Sequence, residues 1–277
     1  MKILFIYEIN TMFDFHKDLQ RYFDYQYKTS AEYVIPFVQP FVDLNQQLRV
    51  LEIGSAEAGV LKAFTEKNHL CTGIELEEER VKNAIIMMEK EYKDGRVKFL
   101  SKNIYDIDLQ ADIGHKFDLI ILKDVIEHIH DQDKFMSIIG DFLTPNGKIF
   151  YSFPPWQMPF GGHQQICKNK FASLLPYYHL LPAWLYKLML KMFGETPRTI
   201  DALLEIKETG ISLERFERVN KKQGFNILRK ELFLFNPIYK YKFNIKVRRQ
   251  AAIVAAIPVL RNFFTTCAYY LVEKNKA

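Results

Sequence analysis

Between residues 49 and 153 short apolar runs alternate with longer stretches whose apolar positions recur at helical spacing, and that alternation predicts the elements. The runs at 49–53, 71–75, 97–100, 117–122 and 148–153 read as strands, and the segments 60–67, 78–92 and 133–143 as amphipathic helices. Buried strands joined through helices need right-handed crossovers, which gives a parallel sheet covered on both faces. The expected fold is therefore doubly wound α/β. Further on, a helix over 213–223 is stopped by Gly224, and adjacent strands at 225–229 and 232–235 complete a mixed, seven-stranded sheet.

Three segments lie outside this alternation. Residues 1–28 read as an N-terminal helical preface, with Thr29 or Ser30 capping the next helix, which carries Tyr33, Val34, Phe37, Val38 and Phe41. An insertion at about 160–210 is rich in Leu, Tyr, Trp and Met and reads as a helical lid. Residues 237–277 read as a C-terminal extension containing one apolar helix over 248–274, in which Ile253, Ile257, Leu260, Phe264, Cys267 and Leu271 share a face. That leaves 29–236 as the main domain.

The 277 residues are 48% hydrophobic and 26% charged, which suits a globular core and excludes disorder. The net charge of +5 comes from no single basic block, so a nucleic-acid partner is not implied. Cys71, Cys167 and Cys267 are too widely spaced for a CxxC zinc or redox pair, and reduced thiols in a cytoplasm are the expectation. Glu8 interrupts the apolar opening too early for a signal-peptide core.

The chemistry begins where the first strand runs into Glu52-Ile53-Gly54-Ser55-Ala56-Glu57-Ala58-Gly59 and a helix. Small residues there let a ligand lie against the backbone, and the helix N-terminus offers unpaired N–H groups. The second strand ends in Glu75, placed to take the hydroxyls of a ribose. Together these describe a nucleoside site. Gly54, Ala56 and Gly59 also fit the dinucleotide pattern GxGxxG with one substitution, so an NAD-dependent oxidoreductase is one alternative. A non-catalytic module that keeps the fold at a membrane surface is another.

Glu52 before the first glycine, the helical preface, the fourth strand running into Lys123-Asp124-Val125-Ile126-Glu127-His128-Ile129, and the paired closing strands occur in an order that resembles the class I S-adenosylmethionine-dependent methyltransferases. The resemblance covers about 29–236. It implies S-adenosylmethionine as cofactor, held by the first motif (Glu52, Gly54, Ser55, Ala56), by Glu75 with Leu76 at the ribose, by Asn103 and Ile104 at the adenine, and by the backbone passing Lys123. Ala56 and Ala58 replace the family's second and third glycines, which is tolerable where φ stays negative.

Methyl transfer to a hydroxyl also needs a proton acceptor. The fifth strand empties into Pro154-Pro155-Trp156-Gln157-Met158-Pro159-Phe160-Gly161-Gly162-His163, a loop that prolines stiffen and glycines bend, and His163 is the candidate base. His128 is expected to pack or hydrogen-bond. His128, His130, Asp131 and His163 are conceivable metal ligands, but His128 and His130, two residues apart, fall on different helix faces, so no metal site is expected. The apolar lid suggests a small aromatic, quinone-like or lipid-linked acceptor, methylated on oxygen. The run 251–272 approaches spanning length, but Arg261 and Pro258 oppose insertion, so the expectation is a cytoplasmic protein whose C-terminal helix or lid could meet a membrane surface peripherally.

Overall fold

The computed structural model describes residues 18–275. The reading of the apolar opening at residues 1–7 falls outside them. Eight strands form one sheet: β1 (Arg49–Ile53), β2 (Leu70–Glu75), β3 (Val97–Ser101), β4 (Phe117–Lys123), β5 (Leu143–Phe153), β6 (Phe225–Phe235), β7 (Arg248–Arg249) and β8 (Cys267–Lys274), in the order β3-β2-β1-β4-β5-β8-β6-β7. β1 to β5 pair in parallel, and β8 lies antiparallel between β5 and β6. The order reverses at β1, which puts a crevice at the carboxyl ends of β1 and β4.

The mixed, doubly wound sheet is as expected, but its C-terminal part is not. Residues 225–229 and 232–235 form one strand, β6, which shifts register between Ile227 and Arg229. The apolar helix expected over 248–274 is replaced by the short pairing of β7, two four-residue helical turns, and β8 in the middle of the sheet. Residues 237–277 are therefore not a helical extension, and a boundary at 236 would cut through the sheet. A spacing of four residues explains the misreading, because Cys267 and Leu271 share a face both in a helix and in a strand. Alternate residues settle it: Tyr269 and Leu271 enter one core cluster, Ala268, Tyr270 and Val272 the other, on opposite faces of the sheet. Arg261 does not face lipid either, since it pairs with Glu214 at 2.9 Å and Glu217 at 3.0 Å.

Helix α1 (Leu19–Thr29) begins earlier than expected. Asp18 caps it by accepting from the Arg21 N–H, while Thr29 and Ser30 lie inside a continuous helical path. Ser30 instead donates to the Val60 carbonyl, fastening this path to α2 (Gly59–Thr65). The approach is close: a Cβ on Gly59 would stand 2.5 Å from the Phe23 carbonyl oxygen. α3 (Glu78–Met87) and α4 (Gln132–Ile139) follow β2 and β4.

The segment between β5 and β6 holds α5 (Ala183–Met192), α6 (Pro197–Thr209) and α7 (Leu213–Lys222). Its first part has its own small core, where Tyr178, Tyr186 and Leu190 meet Ile200, Leu203 and Ile206. Only one side of α5 is used. Trp184 and Met192 are 70% and 76% exposed, with Phe171, Leu174 and Leu188 exposed beside them. No helix among the described residues is long and apolar enough to cross a membrane.

Candidate active site

The turn after β1 folds back against β2, with the Gly54 and Ser55 amides both donating to the Ile74 carbonyl. Gly54 takes φ +71°, and a Cβ there would meet Val125 at 2.6 Å. Ala56 and Ala58 also have positive φ, 49° and 67°. This corrects the expectation of negative φ: the alanines adopt the left-handed geometry of the glycines they replace, at a cost of roughly 1–2 kcal/mol each. Part of that cost is offset locally, because the Ala56 amide donates to Glu75 Oε2 at 2.9 Å and the Ala58 amide to the Ser55 carbonyl at 2.7 Å.

Glu75 is nearly buried, and its Oε1 also accepts from the amides of Leu76 and Glu77. Three backbone donors thus hold the carboxylate in one orientation at the end of β2, with lone pairs left over for a ligand's hydroxyls. Asn103 accepts from the Tyr105 amide through its side-chain oxygen, which orients its amide group beside buried Ile104. Lys123, buried at the end of β4, reaches Asp124 at 2.6 Å.

Glu52, Gly54, Ser55, Ala56, Glu75, Leu76, Asn103, Ile104 and Lys123 all line a single cavity at the carboxyl edge of the sheet. Burial pushes the Glu52 carboxyl well above the usual range, with Lys123 opposing the shift. Glu52 Oε2 and Ser55 Oγ are buried on this wall without a hydrogen-bond partner in the protein. A ligand carrying an ammonium or hydroxyl would satisfy them. These observations fit the amino-acid and ribose portions of S-adenosylmethionine.

Sequence reasoning missed several wall residues. Tyr22, Phe23 and Gln26 of α1 close one side, so the preface is part of the site. Glu57 and Arg80 make a bidentate pair at 2.8 and 2.9 Å at its rim. The carboxylate and guanidinium were visible in the chain, but nothing local linked positions 23 residues apart. Asp124 and His128 also line the cavity, and Asp124 has positive φ at 58°.

His163 stands just behind this wall. It does not line the cavity, but its ring lies edge-on to that of His128, with centroids 5.0 Å apart. It also has positive φ, 54°. The loop is held by His179, whose Nε2 bonds the Trp156 carbonyl at 2.8 Å and whose side chain a Cβ on Gly162 would strike. Burial lowers His163 to about 4 and His128 to about 3, so both imidazoles are neutral at pH 7. Burial and the neighbouring Asp124 raise the Glu127 carboxyl.

The sequence profile of the family described as a methyltransferase domain matches residues 44–183, half of the chain. The chain belongs to the class I S-adenosylmethionine-dependent methyltransferases. S-adenosylmethionine is the cofactor of this methyltransferase, and the nicotinamide alternative falls. Among curated relatives, a ubiquinone biosynthesis O-methyltransferase of Coxiella burnetii is 21% identical over 103 residues, spanning 37% of this chain and 42% of that protein. The match thus spans about two fifths of that relative's length. Among solved structures, the magnesium protoporphyrin IX methyltransferase of Synechocystis PCC 6803, with S-adenosylhomocysteine bound, superposes with TM-score 0.53 at 11% identity, covering 98% of this chain and 100% of that one. An S-adenosylmethionine-dependent methyltransferase of Clostridium acetobutylicum gives TM-score 0.53 at 12% identity, covering 90% and 92%. At such identities these superpositions bear on the fold alone.

Proposed function

We propose that this methyltransferase methylates an oxygen of a small apolar acceptor, aromatic, quinone-like or lipid-linked. The observation that carries this reading is the arrangement at the cavity wall: the expected cofactor residues share one cavity, His128 lines it with His163 behind, and the apolar segment around α5 follows the loop that bears His163. The O-methyltransferase relative supports an oxygen acceptor of this kind.

In this reading Glu75 and Asn103 bind the nucleoside, and Glu52 and Ser55 take the amino-acid end. S-adenosylmethionine supplies a methyl group on a cationic sulfur, so the acceptor's oxygen pair forms the O–C bond while the C–S pair stays with sulfur as a neutral thioether. The protein's work is to align the oxygen, exclude water and remove the hydroxyl proton. His163, which burial keeps unprotonated at pH 7, is the candidate to accept that proton.

The exposed Trp184, Leu188, Met192 and Phe171 support a second part of the proposal, peripheral contact with a membrane that carries the acceptor. The exposed Ile253, Ile257, Val259 and Leu260 would extend that contact, from an irregular segment rather than from a helix along the C-terminus.

Parallel calorimetric titrations with S-adenosylhomocysteine and NAD test the cofactor site, and binding of neither ligand would favour the non-catalytic module. Transfer of labelled methyl groups to a panel of catechols, quinols and amines tests the acceptor. Labelling of amines alone would overturn the oxygen assignment.

A further inference from the structure

Glu127, His128 and His163 bring one carboxylate and two imidazoles together, with candidate ligand atoms all within 4.8 Å of one another. The sequence argument against a metal turned on the spacing of His128 and His130. His130 turns away to Glu205 at 3.2 Å, whereas the second imidazole comes from the β5 loop, 35 residues along the chain from His128.

The carboxylate is the independent observation. Glu127 is only 4% exposed, and neither of its carboxylate oxygens has a hydrogen-bond partner in the protein. A buried carboxylate with no donor is costly, and most such groups are paired, protonated or bound to a metal. Here the groups it faces are the imidazoles of His128 and His163, whose rings stand edge-on to one another. Asp124 adds negative charge to the same corner, partly balanced by Lys123.

We infer that Glu127, His128 and His163 form a binding site for a first-row divalent cation at the acceptor end of the cavity. Two imidazoles and one carboxylate suit zinc, iron(II), cobalt or manganese, and three protein ligands leave coordination positions open. Bonds of about 2.1 Å in a tetrahedral arrangement put ligand atoms roughly 3.4 Å apart, so the site contracts on loading. His128 is the ligand that also lines the cavity, so the open positions face the acceptor.

Resting on the oxygen-methylation reading, the cation would acidify an acceptor hydroxyl that coordinates it. A coordinated hydroxyl gives its proton to solvent and leaves an oxyanion on the metal, poised for alkylation. His163 then acts as a ligand and not as a free base.

The test strips the full chain with chelator, titrates it with Co2+ and Zn2+, and follows the Co2+ visible absorption alongside metal content. One equivalent per chain is expected. Glu127→Gln and His163→Asn should each weaken binding at least tenfold, while His130→Ala should not. Thermal melts of each variant check folding, and Glu127→Gln preserves shape if His163→Asn does not fold. Absence of stoichiometric binding by the native chain, or unchanged affinity in Glu127→Gln, overturns the site. S-adenosylhomocysteine titration of the stripped chain is read separately: lost cofactor binding with retained Co2+ binding would sink the methyltransferase reading of the cavity and leave the metal site standing.

Discussion

The β3 side of the sheet and the β6 side are built differently. From β1 to β5 each strand is followed by its own helix or turn, and successive strands lie side by side except at the β3-to-β4 crossover, which passes β2 and β1. On the other side β6 reaches the sheet only through β8, which arrives from about thirty residues further along the chain. The first side holds the candidate cofactor residues at the carboxyl ends of its strands, around one cavity. The second side holds the lid and the loop of His163 through non-local contacts, such as His179 on Trp156 and Arg261 on Glu214 and Glu217. Where contacts are local, the spacing of residues carries the architecture; where they are not, burial decides it.

The sharpest way to break this comparison is to remove β8. A chain ending at residue 266 leaves β5 and β6 without their shared partner, and it should show no cooperative thermal transition by circular dichroism. If 237–277 were a dispensable extension, it would melt like the full chain. Next in size is Glu75→Ala, which should weaken S-adenosylhomocysteine binding by about 1.5–3 kcal/mol in calorimetry. It should also lower the melting temperature, since three amides lose their acceptor.

Smaller effects separate strain from exposure. Ala56→Gly relieves a left-handed alanine and should stabilise the protein by about 0.5–1 kcal/mol in urea titrations, the relief being partly offset by the freer unfolded chain. Destabilisation would mean that the methyl group is packed rather than strained. Smallest of all, Trp184→Ser on the outer side of α5 should change stability by no more than about 0.5 kcal/mol. The same variant should lose flotation with anionic vesicles if that side meets a membrane.

The first five strands were legible, and so was the gathering of the nine candidate cofactor residues in one cavity, because each depends on a short pattern: an apolar run, a small-residue turn, an acid at a strand end. β8 was not, because 267–271 satisfies two periodicities and only its neighbours choose between them. The α1 wall escaped notice since Tyr22, Phe23 and Gln26 look like any amphipathic helix until α2 is placed beneath them. His163 was found as a residue on a bent loop, yet its company with Glu127 and His128 depends on where the loop lands, which no spacing along the chain expresses.

The central place of β8 also bears on how the chain acquires its fold during synthesis. β6 ends at Phe235 and β8 begins at Cys267, so at about 5–20 residues per second the ribosome needs roughly 2–6 s to deliver the missing strand. Through that interval β5 and β6 both present unpaired edges of apolar sequence, the features that recruit chaperones and seed aggregation. Folding of this sheet should therefore be late and abrupt, and its yield in the cell should depend more on holdase capacity than on the stability of the finished molecule.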